Sequence, residues 1–237
     1  MRLDAPYETM PHVSIILAAA GLGVRMGGDV KKPYLLIKGK PIFQRSLEKF
    51  LDIKDVKEII LVVGPSELKD VIDQWNDEFA QYNVKVKIVA GGSRRQDSVY
   101  EALKHLEPQA EIVLVHDAVR PIVTKEMIEA VINRVITSGA AILAVPVTAT
   151  VKEVEAGERI IRTVNRDSLW MAQTPQGFRR DILQRAYDAL LEEDVVVTDD
   201  AQAVERLGHP VEIVPGSHTN IKITTPEDLV LAEALQR

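Results

Sequence analysis

A strand-like apolar run ends in Ala18, Ala19, Ala20 and Gly21, and the loop beyond it carries Gly23, Arg25 and Lys32. Small side chains and glycine let backbone N–H groups come close to an anion. Arg25 and Lys32 add full positive charge to the same loop, so residues 21–32 can grip the phosphates of a nucleoside triphosphate. Two other phosphate loops fit poorly. A dinucleotide fingerprint needs glycine where Met26 stands and an acid after the second strand, where Gly64 and Pro65 follow instead. A P-loop needs Gly-Lys followed by Ser or Thr, which the chain lacks. Taken alone, Gly-x-Gly after a strand also describes a tight strand-to-helix turn; the two cations count against that plainer reading. Lys32 precedes Pro33. The residue before a proline is biased toward extended backbone, so Lys32 is expected to stand outside a helix.

A second cluster holds His116, Asp117, Ala118, Arg120 and Pro121. Asp117 is expected just past the end of a buried strand, where open α/β sheets place their ligands. A hard carboxylate there suits Mg²⁺, which uses one or two protein carboxylates and fills its shell with phosphates and water. The plainer reading is that Asp117 only fixes the following turn. His116 is assigned to the scaffold. Further polar points are Gly91 to Arg95 with Ser98, then Arg166, Thr174, Asn220 and Lys222. Each alone reads as a turn, a cap or a surface charge.

The rest of the composition narrows the chemistry. The chain has 237 residues and no cysteine, so thiolate catalysis and Cys-ligated zinc or iron–sulfur centres are excluded. A formal net charge of -6 argues against a broad nucleic-acid footprint. If the ligand is anionic, cations must be gathered locally against the global sign. No apolar run approaches the ~20 residues of a membrane span, and the first dozen residues lack the pattern of a signal peptide. The expectation is a cytoplasmic protein with no membrane partner.

Strand-sized apolar runs at 13–20, 59–63, 84–89, 112–115 and 141–145 alternate with helix-period segments. That alternation predicts an α/β fold, doubly wound around a mostly parallel Rossmann-like sheet. Ser66 is expected to cap a helix with Leu68, Val71, Ile72, Trp75 and Phe79 on one face. Ser93 with Gln96 reads as a capping box. Thr124 and Thr225, the latter followed by Pro226, Glu227 and Asp228, mark two further helix starts. Residues 147–154 and 159–164 break the pattern as a hairpin. Such a hairpin has little core of its own, and is expected to project and pack on a partner subunit; the alternative is an edge hairpin folded back on its own chain.

With these residues in place, a resemblance emerges. Ala19, Ala20, Gly21, Gly23, Arg25, Met26 and Lys32 resemble the nucleotide-binding signature of the sugar and polyol nucleotidyltransferases. His116 to Pro121, Gly91 with Gly92, Arg95 and Ser98, Thr174 to Gln176, and Asn220 to Lys222 narrow it. Together, in order from about residue 13 to 235, they are similar to the 2-C-methyl-D-erythritol 4-phosphate cytidylyltransferases of the non-mevalonate isoprenoid pathway. The resemblance implies a single nucleotidyltransferase domain over residues 1–237, with a β-arm at about 147–170 that builds a homodimer. It implies CTP and methylerythritol phosphate as substrates and Mg²⁺ as cofactor.

By matching position, the resemblance puts Arg25 and Lys32 on the transferring phosphoryl group, and Arg166 and Lys222 on the methylerythritol phosphate. Asp117 would hold the metal and meet the ribose. Ala19, Ala20, Gly21, Gly23, Gly91, Ser98 and Ala118 would cradle CTP, and Arg120, Thr150 and Thr174 would line the polyol pocket. Pro33 stands where glutamine is frequent, and Ser93 where an acid is often found. The nearest alternative is a ribitol 5-phosphate cytidylyltransferase. The three alanines before Gly21, and the run Asn165, Arg166, Asp167, favour methylerythritol phosphate. A non-catalytic nucleotide-sensing domain would lose some transfer residues, yet Arg25, Lys32, Asp117, Arg166 and Lys222 are all present.

Overall fold

The computed structural model describes residues 11–21, 31–155 and 158–235. Strand β1 (Val13–Ala18) is followed by a 3₁₀ turn (Lys32–Tyr34), the short strands β2 (Leu36–Ile37) and β3 (Lys40–Pro41), and helix α1 (Ile42–Glu48). Then come β4 (Val56–Val63), α2 (Leu68–Phe79), β5 (Lys85–Ala90), α3 (Arg95–Leu103), β6 (Ile112–Asp117), α4 (Lys125–Ser138) and β7 (Ala140–Pro146). The hairpin β8 (Val151–Val154) and β9 (Ile160–Val164) precedes β10 (Trp170–Arg179), α5 (Arg180–Glu193), α6 (Asp200–Arg206), β11 (Glu212–Pro215) and α7 (Pro226–Leu235).

Side chains on a strand alternate between faces, and a sheet covered on both faces buries both sets. In β1, Ile15 and Leu17 enter one core and Ile16 the other; in β6, Leu114 faces the first, and Val113 and Val115 the second. The seven strands run β11-β7-β10-β6-β1-β4-β5. All neighbours pair in parallel except β10, which is antiparallel to both β6 and β7. The chain winds outward from β1 through β4 to β5, then returns to β6 on the other side of β1. The mostly parallel, doubly wound sheet expected from the sequence is therefore present, with its strand order reversing between β1 and β6.

Strand β10 does not follow from hydrophobic patterning, because Gln173, Thr174 and Gln176 lie in its middle and are buried. Each is hydrogen-bonded: Gln173 donates to Ser217 O, Thr174 meets His116 and Asp117, and Gln176 donates to Asp199. Gly177 is required by packing, since a Cβ there would sit 2.6 Å from Leu114 and 2.8 Å from Val131 of α4.

Helix starts agree with the sequence in two cases and differ in two. Thr124 Oγ1 accepts from Met127 N–H at 3.4 Å, and Asp228 accepts from Thr225 N–H at 2.8 Å. Ser66 is not a cap: α2 begins two residues later behind a turn closed by Glu67 N–H to Gly64 O at 2.9 Å, and Ile72 lies off the buried face. At α3 the N-cap is Arg94, whose N–H donates to Asp97 at 3.0 Å, so the box lies one residue beyond the expected one. Gln96 turns inward instead, donating to Val195 O and accepting from Val197 N–H. The hairpin forms antiparallel with Val151 opposite Val164, and most of its side chains are exposed.

Candidate active site

The C-terminal ends of β1, β4, β5 and β6 open into a cleft of about 740 Å³. Ala18 to Gly21 follow the central strand β1, with Gly64 to Ser66 and Gly91 to Arg95 on the β4–β5 side and Asp117 beside Ala18 on the β6 side; Lys222 also lines the cleft. Ligands of open α/β sheets bind at such a reversal of strand order. Gly91 is fixed by close approach: a Cβ would lie 2.6 Å from Ser98 Oγ and 2.8 Å from Ala20 Cβ. Ser98 Oγ in turn accepts from Gly92 N–H at 3.1 Å, which shapes this turn against the start of α3.

Lys31, Lys32, Arg94, Arg95 and Lys222 all line this cleft, so a chain of net charge -6 does gather cations locally. Lys32 opens the 3₁₀ turn rather than standing outside it. The extended residue is Lys31, at φ -68° and ψ 145°, and the turn is closed by Tyr34 N–H to Lys31 O at 3.0 Å. The bias before proline is here overridden by a three-residue turn. Lys31 pairs with Glu67 across the mouth, and Glu67 also accepts from Tyr34 Oη at 3.1 Å. Burial pushes the Tyr34 phenol up to about 12, which keeps it a donor. Gly23 and Arg25 lie outside the described residues.

Asp117 is the last residue of β6 rather than the first beyond it, and its carboxylate is almost buried. Lys222 Nζ lies 2.8 Å from Oδ2 and Arg95 Nε lies 3.3 Å from Oδ1. Burial alone would raise the Asp117 carboxyl, but Arg95, Lys222 and Arg120 together hold it well below the usual carboxylate range. Arg120 Nε is 3.7 Å from Oδ2, beyond hydrogen-bond reach, and finds no acceptor among the described residues. Its Nη1 donates to Asn220 O at 2.8 Å.

A smaller cleft of about 250 Å³ adjoins the first and shares Arg95, Asp117 and Lys222 with it. Arg120, Thr174, Thr198 and Asp199 complete much of its wall. The geometry is thus two clefts that share a charged partition. Of the sequence-derived site residues, Ala19, Ala20, Gly21, Lys32, Gly91, Ser98, Asp117 and Lys222 meet at the larger cleft, and Arg120 and Thr174 at the smaller. Ala118 is not on either wall: it is fully buried and its N–H donates to Ala18 O at 3.1 Å. Thr150 and Arg166 are exposed on the hairpin arm and line neither cleft; Arg166 donates to the Thr148 carbonyl. Arg95, Lys31 and Thr198 reach the site without having been assigned a role from sequence.

His116 is scaffold, as expected. The Thr174 hydroxyl accepts Asp117 N–H at 3.1 Å, so its own proton goes to His116 Nδ1 at 3.0 Å. Nε2 then carries the ring proton and donates to Arg120 O at 3.1 Å. Through one neutral imidazole the fold thus ties together Thr174, Asp117 and Arg120. Burial holds the His116 imidazole down at about 4. The unfolded chain takes up this proton near the ordinary value of about 6.5, whereas the folded chain refuses it until about 4. Stability is therefore complete above pH ~6.5 and falls, on the order of 3 kcal/mol, as pH drops toward ~4. Urea titrations of the wild type and His116→Gln at about pH 7.5 and about pH 4.5 measure this contribution. The variant is expected to lose less stability on acidification; equal losses would contradict the assignment.

Comparison with known proteins adds to this geometry. The family model of 2-C-methyl-D-erythritol 4-phosphate cytidylyltransferase (IspD) matches residues 13–237. The enzyme of that name from Syntrophus aciditrophicus is 48% identical over 224 residues, covering 94% of this chain and 95% of the relative. A chloroplastic enzyme of that name from Oryza sativa subsp. japonica is 41% identical, covering 94% of this chain and 74% of its own length. Among solved structures, the 4-diphosphocytidyl-2C-methyl-D-erythritol synthase of Anaerococcus prevotii superposes with a TM-score of 0.83 at 35% identity. That match covers 96% of this chain and 97% of the other.

Proposed function

The chain belongs to the 2-C-methyl-D-erythritol 4-phosphate cytidylyltransferase family, and from that premise we propose how its two clefts divide the reaction. The enzyme transfers the cytidylyl group of CTP to 2-C-methyl-D-erythritol 4-phosphate, giving 4-diphosphocytidyl-2-C-methyl-D-erythritol and pyrophosphate. CTP occupies the larger cleft and the polyol phosphate the smaller. A phosphate oxygen of the polyol phosphate bonds to the α-phosphorus of CTP as the bond to the β-phosphate bridge breaks. The observation that carries this division is the shared partition of Arg95, Asp117 and Lys222, which brings cations to the junction of both clefts.

The attacking oxygen is already anionic, so no general base is needed. The barrier is electrostatic, and fixed cations that need not reorganise lower it. Lys32 from the larger cleft and Lys222 from the partition supply them, with Arg25 joining from the loop. Backbone at Ala19, Ala20, Gly21 and Gly91, with Ser98, holds the nucleotide. Arg120 takes the polyol phosphate, and its unsatisfied Nε–H supports that role. Thr174 contributes by locking Asp117 and His116.

Among the described residues, Asp117 is the one carboxylate lining the larger cleft, and no cluster of three metal-ligating side chains occurs. One hard carboxylate suits an Mg²⁺ ion whose remaining ligands are phosphate oxygens and water. Asp117 would hold that ion, which when bound shields the charge of the triphosphate.

Thr150 and Arg166, which line neither cleft of their own chain, would reach one if the arm crosses to a second copy. Val154, Ile160 and Ile161 of the arm are each more than half exposed, the kind of surface that marks an interface. The working enzyme is accordingly a homodimer in which each arm delivers Thr150 and Arg166 to the other subunit's smaller cleft. No described helix is long and apolar enough to cross a membrane, and a cytoplasmic setting fits small anionic substrates.

Pyrophosphate release tests the substrate assignment. With methylerythritol phosphate present, CTP is expected to support turnover at least tenfold better (roughly 1.4 kcal/mol of discrimination) than ATP, GTP or UTP. Ribitol 5-phosphate run in parallel should be the poorer acceptor. Equal rates with ribitol 5-phosphate would return the acceptor to the sugar-alcohol alternative.

A further inference from the structure

We propose that Asp200, backed by Tyr187, is a positioning residue that fixes Arg95 in the partition between the two clefts; this rests on the transfer reading above. Arg95 is the first residue of α3 and lines both clefts. Its guanidinium is stretched between two acids: Nε lies 3.3 Å from Asp117 Oδ1, and Nη2 donates to Asp200 Oδ2 at 2.7 Å. Asp200 has no exposed surface and lines neither cleft. Its other carboxylate oxygen accepts from Tyr187 Oη at 2.5 Å, and its backbone N–H donates to Gln176 at 3.0 Å. A carboxylate wholly out of water is tolerated when paired and hydrogen-bonded, and an apolar replacement is often no less stable. What the charge adds here is direction.

Without Asp200, the acid nearest to Arg95 is Asp117. A guanidinium prefers to grip one carboxylate with two parallel bonds. Released from Asp200, Arg95 would close on both oxygens of Asp117 and displace Lys222 from Oδ2. The partition would then lose the Lys222–Asp117 pair and shift the ammonium that meets the polyol phosphate. Tyr187 prevents this from one step further back. Burial, with the Asp200 charge beside it, holds the Tyr187 phenol well above its ordinary value, so it remains a donor throughout the working pH range. Tyr187 is itself buried, with its ring stacked 6.5 Å from Tyr100, and touches neither cleft.

Two variants and one background test the positioning role. Tyr187→Phe keeps the ring but leaves the buried Asp200 Oδ1 without its hydroxyl donor, and is expected to lower both the melting temperature and, roughly three- to tenfold, kcat/KM for CTP. Asp200→Asn is expected to lower it on the order of 10- to 100-fold, the range seen when outer partners of ligating groups are removed. In an Arg95→Gln background, Tyr187→Phe should cause no further loss, because the group it positions is gone. A purely structural role predicts the opposite, with losses that multiply undiminished in that background. That result, or unchanged kcat/KM in Tyr187→Phe, overturns the proposal, and neither depends on Asp200→Asn folding. The wild type serves as the control: if it releases no pyrophosphate from CTP and methylerythritol phosphate, the transfer reading fails. An active wild type with unaltered variants sinks the positioning role alone.

Discussion

Lys222→Ala is expected to lower kcat by roughly 10²–10³, about 2.7–4 kcal/mol of transition-state stabilisation, while the protein stays folded. Lys222 is the ammonium common to both clefts, and its Nζ sits 2.8 Å from Asp117 Oδ2. In the transfer, negative charge accumulates where the polyol phosphate meets the α-phosphate, and a cation already in place there need not reorganise. The fold should tolerate the loss. Lys222 is 42% exposed, and Asp117 keeps Arg95 and Arg120 as partners. Those two guanidinium groups keep the buried carboxylate paired, which limits the loss of stability. Steady-state pyrophosphate release and thermal unfolding, measured on the same preparation, separate the two effects. Near-normal turnover would remove Lys222 from the mechanism. Lys32→Ala, in the lining of the same larger cleft, is expected to behave in the same way.

How much of this was legible in the sequence depended on whether a residue's role is local. Strands β1, β4, β6 and β7 were readable because strands covered on both faces are largely apolar, and the edge strand β5 because Val86 and Ile88 alternate with Lys85 and Lys87. Strand β10 was not, because its buried Gln173, Thr174 and Gln176 are satisfied by Ser217, His116 and Asp199, distant in the chain. Asp117 and Lys222 could be singled out as polar residues in recognisable motifs, but their 2.8 Å contact could not. Arg95 was visible as part of a motif without a role. Its role depends on Asp200, 105 residues away, and an Asp that follows the N-cap Asp199 reads as a first-turn acid favoured by the helix dipole. Ser93 and Gln96 show the converse error. Their spacing satisfies a capping rule, yet one residue of shift gives the cap to Arg94 and frees Gln96 to hold residues 195–197.

Arg166→Ala should be as damaging to turnover as Lys222→Ala, although the two side chains lie in different parts of the chain. Arg166 is exposed on the arm, its guanidinium donating to the Thr148 carbonyl, while Lys222 stands in the partition. If each arm completes its partner's cleft, the two inactive variants must complement one another. A mixed dimer has one site built from an intact Lys222 and an intact Arg166, and a second site lacking both. Random exchange of equal amounts makes half the dimers mixed, so about a quarter of all sites are complete in a symmetric pair. Co-expression of Arg166→Ala with Lys222→Ala should therefore restore about a quarter of wild-type kcat, from parents each reduced by roughly 10²–10³. A folded-back arm that served its own chain could not give this result, because every chain would carry one defect in its own site. Activity in the mixture no higher than in the parents, with dimers present by sedimentation, would place Arg166 in its own subunit's site or outside the mechanism. Recovery near a quarter would show that the hairpin, which breaks the alternation of strands and helices in the sequence, carries part of the active site across the dimer.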